Sequence, residues 1–276
     1  MRSLFVILIM MLVYPFQSMA APSSEYWDIW DRSDETSTIK IDHSTWQTLL
    51  NRYLKVDDDG INKVDYKALL GTDRKNLVEY LNDLTSIDPL SLNKNEPLAY
   101  WINLYNALTV KVIIDHYPTS SILKISISPG FFNFGPWDKK LITINGTELS
   151  LNDIEHRILR PIWKDPRIHY AVNCASHGCP NLRMEVYTAD TADDMLTQNA
   201  VTYINHPRGV NISRKRIRVS TIFKWYKSDF GRTDKNILNH IRQYASDDLL
   251  AELEGRTRIS GYRYNWDLNE YRDNEG

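Results

Sequence analysis

The chain contains two cysteines, Cys174 and Cys179, and they fall in a short stretch that also holds His169, Ser176 and His177. A thiol is an effective nucleophile only as thiolate, which requires a nearby cation, an imidazole or free backbone N–H groups. His156, His169 and His177 are all close in sequence. Cys174 is therefore the candidate nucleophile, and the sequence does not choose among His156, His169 and His177 as its partner. The same pair of cysteines has other readings. They can form a disulfide across a tight turn, where so short a loop would place the entropic stabilisation at the low end of the usual scale. They can form a redox pair, although the spacing lacks a thioredoxin-like pattern. His169-x4-Cys174-x2-His177-x-Cys179 offers zinc-ligand types, but the spacing matches no common finger or ribbon, and no metal is assigned. A second pair, Asn103 and Asn106, lies three residues apart in an apolar run and shares one helical face. A buried amide without partners costs about 1–3 kcal/mol. These two must therefore hold something: a backbone segment, a catalytic imidazole or an oxyanion.

The elements that position these residues can be read from periodicity. Pro97 to His116 is apolar nearly all round, which predicts a buried central helix carrying both asparagines. Ile168 to Asn173 alternates, which predicts a strand with His169, Ala171 and Asn173 on one face, delivering Cys174 to the tight connection at its end. Ser150-x-x-Asp153 predicts the start of a helix carrying His156 and ended by Pro161. Asn145-Gly146 between Leu141–Ile144 and Thr147–Leu149 predicts a hairpin. Ser44-x-x-Gln47 reads as a capping box before a helix, and a further helix is expected from Arg74 to Leu84. Downstream, a helix from Thr191 to Asn205, a hairpin from Val210 to Val219, helices over Ile222–Phe230 and Lys235–Tyr244, and an edge strand through Tyr262, Tyr264 and Trp266 complete the pattern. This order indicates a single α+β domain with a buried central helix, antiparallel hairpins and surrounding helices. No glycine-rich phosphate loop is present, so no nucleotide cofactor is implied. Asp57-Asp58-Asp59-Gly60 imitates a calcium loop, but alignment on its glycine places Lys55 and Tyr66 at ligand positions, so it is read as a turn.

The N-terminus combines Arg2, an apolar run from Leu4 to Tyr14 and a small-x-small site before Ala21, the pattern of a secretory signal peptide over residues 1–20. That run is about half of the roughly 20 residues needed to span a bilayer. The expected location is outside the cytoplasm, periplasmic or secreted, with no integral membrane segment after cleavage. The expected organisation is a lead-in and helix over 21–62, a main domain over 63–268 and a tail over 269–276. Eight Trp and sixteen Tyr support one well-buried core, and the formal net charge is −2. The basic cluster Arg214-Lys215-Arg216 falls at a hairpin tip and does not make a nucleic-acid surface. The expected partner is a small-molecule or peptide substrate.

Long stretches of the sequence resemble the domain of unknown function 547 family: Ala99-Tyr100-Trp101-Ile102-Asn103-Leu104-Tyr105-Asn106-Ala107-Leu108, Leu149 to His156, and Asp165 to Pro180. Ile222-Phe223-Lys224-Trp225-Tyr226 with Asp229-Phe230-Gly231 fits it as well. The resemblance implies membership and no established activity. A more distant analogy, from a His preceding Asn-Cys in chain order, is to permuted papain-like acyltransferases and peptidases. It implies Cys174 as nucleophile, His156 or His169 as base, and Asn103 or Asn106 as the orienting or oxyanion group. Papain-like enzymes place the cysteine at the start of a long helix, whose dipole favours thiolate, whereas Gly178 and Pro180 follow Cys174 too soon for one. The leading expectation is a cysteine-centred hydrolase or acyl-transfer site. The alternative is an envelope binding module with a structural Cys174–Cys179 disulfide.

Overall fold

The apolar run beginning at Pro97 forms a 20-residue helix, Glu96–Asp115, in which Ala99 to Val110 are all buried. Everything else is arranged around it. The computed structural model describes residues 22–130, 134–214 and 216–272. The signal-peptide reading over 1–20, and Lys215 of the basic cluster, lie outside the described residues. In chain order the elements are α1 (Ser44–Tyr53), β1 (Leu54–Val56), β2 (Asn62–Val64), α2 (Tyr66–Thr72), α3 (Arg74–Ser86), α4 (Glu96–Asp115), β3 (Ile142–Ile144) and β4 (Thr147–Leu149). A π-helical segment (Asp153–Leu159) runs directly into α5 (Arg160–Trp163). They are followed by α6 (Ala192–Asn205), β5 (Val210–Ser213), β6 (Arg216–Ser220), α7 (Ile222–Trp225), α8 (Asp234–Tyr244), α9 (Asp247–Leu253) and β7 (Gly261–Arg263). The strands form three small sheets, β1–β2, β3–β4 and β5–β6–β7, giving the expected α+β domain. Among the described residues, no helix is long and apolar enough to cross a membrane.

Two apolar clusters make the core. The larger surrounds α4 and takes in α1, α2, α3, the β3–β4 hairpin and the π-helical segment. The smaller gathers α6, α7, α8 and the third sheet. Each fully buried aliphatic or aromatic side chain contributes roughly 1.5–3 kcal/mol. Tyr170 belongs to the smaller cluster, while Ala171, Val172 and Ala175 belong to the larger. The cysteine-bearing loop thus runs along the seam between them.

Several local expectations are corrected. Residues Pro166–Tyr170 form a 3-10 helix, not a strand, so His169, Ala171 and Asn173 do not share a strand face. Asp165 caps this turn by accepting from the Arg167 N–H, and Pro166 stands at its first position. An N-cap carboxylate followed by proline is a helix-start signal, and it overrides the short apolar alternation. Pro161 does not end the preceding helix; it sits in the first turn of α5. The Ser44-x-x-Gln47 pattern is not a capping box, because His43 is the N-cap and the Gln47 amide reaches away to Met184 O and Val186 N. Ser150 and Asp153 do cap each other reciprocally. In the β3–β4 turn, Asn145 and Gly146 both have positive φ, 48° and 73°, as a type I′ turn requires. The Asp57–Gly60 segment is a turn held by Lys63, which pairs with both Asp57 and Asp59.

The last described residues act as a strap. β7 pairs with β6 in parallel, a departure from the antiparallel pattern, and Tyr264 and Trp266 lie beyond it. The Gly178 and His177 N–H groups donate to Asn265 O and Asp267 O, the Leu268 N–H donates to Ser120 O, and the Val64 N–H donates to Asn269 O. The Tyr66 hydroxyl donates to the Asn269 side chain. Gly178 permits this approach. A Cβ there would lie 2.7 Å from Asn265 N and 2.8 Å from Asn265 O. Backbone cannot yield as a side-chain tip can, so Gly178→Ala is expected to cost about 1–3 kcal/mol in chemical denaturation, whereas Gly146→Ala, with nothing within 4 Å, is expected to report only the strain of its positive φ.

Candidate active site

The cysteine loop is built from α4 outward. The Asn106 amide accepts from the Asn173 N–H at 2.8 Å and donates to Ala171 O at 3.0 Å. Asn173 in turn accepts from the Ala175 N–H and donates to Pro180 O. Two buried side-chain amides therefore fix both ends of the turn, and Ala175 closes it with φ 55°. Asn103, a helical turn earlier, has the same role, donating to Tyr187 O and accepting from the Tyr187 N–H. Both asparagines thus hold loops through paired backbone hydrogen bonds; among the described residues, neither hydrogen-bonds a sulfur or an imidazole.

Within this turn the Cys174 and Cys179 sulfurs are 3.1 Å apart and share a hydrogen bond. Both are free thiols. A disulfide bond is about 2.05 Å long, so the structural disulfide expected under the binding-module reading is not formed. The Cys174 N–H donates to the Cys179 sulfur at 3.0 Å. The Tyr264 hydroxyl lies 3.0 Å from the Cys174 sulfur. Ser176 lies 3.4 Å from the same sulfur and donates to the Tyr264 oxygen at 3.1 Å. The hydrogen bond with Cys179, together with the Ser176 and Tyr264 hydroxyls, outweighs burial and lowers the Cys174 thiol below its ordinary value. Burial and the neighbouring Cys174 charge push Cys179 far up. Burial and that same charge hold the Tyr264 phenol protonated, so it remains a donor. Cys174 is half-buried and Cys179 is buried, so Cys174 is the less enclosed of the two residues and carries the more readily ionised thiol.

No imidazole is among the hydrogen-bond partners of the Cys174 sulfur within the described residues. His156 and His169 belong to an adjoining charged cluster. The His169 ring stacks on Tyr226, with centroids 3.8 Å apart, and its Nε2 lies 2.8 Å from Asp229 Oδ2. Its Nδ1 faces Glu155 at 3.6 Å without a hydrogen-bond partner. Arg160 forms a bidentate pair with Asp229 and donates to His156 Nδ1 at 3.0 Å. The Tyr105 hydroxyl donates to Glu155 at 3.1 Å. The π-helical segment places the neighbours Glu155 and His156 on the buried side together, and Arg160 follows one turn later. Such segments recur at functional sites.

Glu155 joins the two groups. Its charge is felt by Cys174, and it faces both imidazoles. Burial alone would push its carboxyl up, but His156, His169 and Arg160 outweigh burial and hold it at about 2. The Asp229 carboxyl is held well below its ordinary range against burial by His169 and Arg160. Burial lowers His156 to about 4, so it is neutral near pH 7. A buried ionic cluster of this kind is a weak source of stability, because desolvation offsets the attraction. Perturbed titrating groups concentrate instead at functional sites.

The papain-like expectation is not met locally. Cys174 lies in an irregular loop, and the next helix after it, α6, begins at Ala192. Burial and the Lys63 charge lower the His177 imidazole, and no hydrogen bond joins it to either sulfur among the described residues. A cleft of about 230 Å³ lined by Asn62, Asn181, Arg183 and Tyr203 has neither cysteine in its lining; its Asn62 and Asn181 amides are already hydrogen-bonded within the protein. Sequence reasoning missed Glu155, Arg160, Asp229, Tyr226 and Tyr264. A usable signal existed in Glu155, His156 and Arg160, which are charged or polar groups on a helix whose other faces are apolar.

Residues 89–204 match the sequence family described as "Protein of unknown function, DUF547". The match covers the central stretch of the expected 63–268 span. It includes both asparagines, Glu155, His156, Arg160, His169 and both cysteines, but not Tyr226, Asp229 or Tyr264. No curated protein and no solved structure matches the chain.

The titration pattern predicts acid sensitivity in two stages. Buried His43, His156 and His240 are each lowered from 6.5 to about 4. The unfolded state therefore binds more protons than the native state over that window, and stability falls as pH drops from about 6.5 to about 4. Glu155, depressed from 4.5 to about 2, contributes stability above about 4.5 that is lost as pH falls through about 2. Urea midpoints measured across this range should decline from pH 6.5 downward, and His240→Phe should flatten the first stage.

Proposed function

We propose that the chain is an exported enzyme in which the Cys174 thiolate attacks the carbonyl of an amide, ester or thioester, giving hydrolysis or acyl transfer. The observation that carries this reading is the set of polar groups around the sulfur of half-buried Cys174. The Tyr264 hydroxyl at 3.0 Å and the Ser176 hydroxyl at 3.4 Å are each placed to donate to it, and the Cys179 sulfur lies 3.1 Å away. A thiolate stabilised this way does not need an imidazole to remove its proton before each turnover. Papain-like sites place that task on a histidine; here the surrounding hydrogen bonds make the thiol more acidic, so that it loses its proton to solvent.

The chemistry then follows from the same groups. Attack of the Cys174 sulfur converts the carbonyl oxygen to an oxyanion, and the Tyr264 and Ser176 hydroxyls, freed from a sulfur that is no longer anionic, are placed to donate to it. His169 and His156 lie behind Glu155. His169, with Asp229 on one nitrogen and Glu155 facing the other, is the group best placed to relay a proton to the leaving atom or from an incoming water. Asp229 and Arg160 act on His169 as positioning residues. The substrate is a small molecule or a peptide presented at the half-exposed face of Cys174.

Alkylation of the full chain by iodoacetamide as a function of pH tests this. Cys174 is expected to react at least tenfold faster than Cys179, with its midpoint below that of an ordinary thiol at about 8.5. Tyr264→Phe should move that midpoint up by roughly one unit, equivalent to about 1.4 kcal/mol. Cys174→Ala should fold and lose all turnover of a thioester or activated-ester panel, while full activity in that variant would rule the proposal out.

A further inference from the structure

We propose that Cys174 and Cys179 form an oxidative modification site, in which Cys179 resolves a sulfenic acid generated on Cys174 by a hydroperoxide and so switches the site off reversibly. This rests on Cys174 being the reactive thiolate of the proposed site, and not on which acyl compound it attacks.

The geometry assigns the two sulfurs different tasks. Cys179 is 3% exposed and packed beneath the loop, so a peroxide reaches Cys174 first. Cys174 already stands in a set of hydroxyl donors, and the same donors can hydrogen-bond the oxygen that leaves a peroxide. The resolving sulfur is in contact before any oxidation occurs, at 3.1 Å, and the Cys174 N–H holds it there. Closing from contact to a bond of about 2.05 Å moves the sulfurs by roughly 1 Å, within one loop whose ends stay anchored on Asn106 and Asn173. A sulfenic acid with no thiol in reach is instead open to further oxidation to irreversible acids.

The steps balance. The Cys174 thiolate attacks one oxygen of the hydroperoxide; an S–O bond forms, the O–O bond breaks, and the departing alkoxide or hydroxide takes a proton from solvent. The sulfur is oxidised by two electrons to sulfenic acid and the peroxide is reduced. The Cys179 sulfur, giving up its proton, then attacks the Cys174 sulfur. An S–S bond forms, the S–O bond breaks, and hydroxide leaves with the released proton as water. A dithiol reductant restores both thiols and is itself oxidised to a disulfide. While the S–S bond stands, Cys174 cannot act as a nucleophile.

The test treats the full chain, its Cys179→Ser variant and its Cys174→Ser variant with hydrogen peroxide, with dimedone present to trap sulfenic acid, and reads products by mass spectrometry. Iodoacetamide labelling of untreated samples runs in parallel. The wild type is expected to lose both thiols together, with a mass decrease of two hydrogens, little dimedone adduct and full recovery with dithiothreitol. Cys179→Ser, which keeps a hydrogen-bond donor beside Cys174, is expected to accumulate the dimedone adduct on Cys174 at least tenfold more and, without dimedone, to proceed to acids that dithiothreitol does not reverse. Cys174→Ser should leave Cys179 unoxidised. Equal dimedone adduct in wild type and Cys179→Ser, or first oxidation at Cys179, overturns the proposal. If untreated Cys174 still labels rapidly in that case, the switch fails alone. If Cys174 labels no faster than an ordinary thiol and resists peroxide, the nucleophile reading fails with it.

Discussion

The structure depends on one buried amide. Asn106 lies in the middle of α4, a helix buried nearly all round, where a side-chain amide without partners would cost about 1–3 kcal/mol. It is satisfied only if the chain at Ala171 and Asn173 runs past it in one particular register. Asn173 extends the same constraint to Ala175 and Pro180. The position of both sulfurs is therefore set by hydrogen bonds to a rigid helix, although the sulfurs themselves sit on a loop. Helix-anchored loops combine the precision of a scaffold with the exposure that chemistry needs.

Around that anchor the site divides into two environments. The sulfur side is made of neutral donors that stabilise negative charge. The imidazole side is made of charges of both signs, balanced through Arg160, Asp229, Glu155 and His169. Glu155 lies between them, raising the cost of a thiolate on one side and facing the two imidazoles on the other. The lowered Cys174 value is thus a net of opposing effects, in which the local hydrogen bonds win over burial and a nearby carboxylate.

The sequence made some of this legible and not the rest, for physical reasons. The central helix, both main hairpins and α6 were readable because long apolar periodicity and Asn-Gly turn chemistry are local signals. Ile168 to Asn173 misled because six residues of alternation are weaker than an Asp-Pro helix start and the pull of Asn106. The site residues divide in the same way. Cys174, His156, His169, Asn103 and Asn106 could be singled out by type, and the structure gathers His156 and His169 in one cluster and Cys174 beside it. The asparagines proved to be anchors, which their place in a buried helix allowed but did not decide. Asp229 and Tyr264 reach the site from 55 and 90 residues beyond Cys174, and no local pattern announces such distant contacts.

The strap has a consequence for how the protein comes into being. The residues that donate to Cys174 or pair with His169 are not all present when the loop that bears the sulfur is made. Chains fold from the N-terminus as they leave the ribosome, and the family-matched core ends at residue 204, well before Asp229 and Tyr264 emerge. A nascent chain can therefore bury α4 and seat its asparagines before Tyr264 reaches the Cys174 sulfur. That last hydrogen-bond partner arrives only when the final segment docks over Gly178, so the surroundings of the sulfur are complete only when the whole fold is.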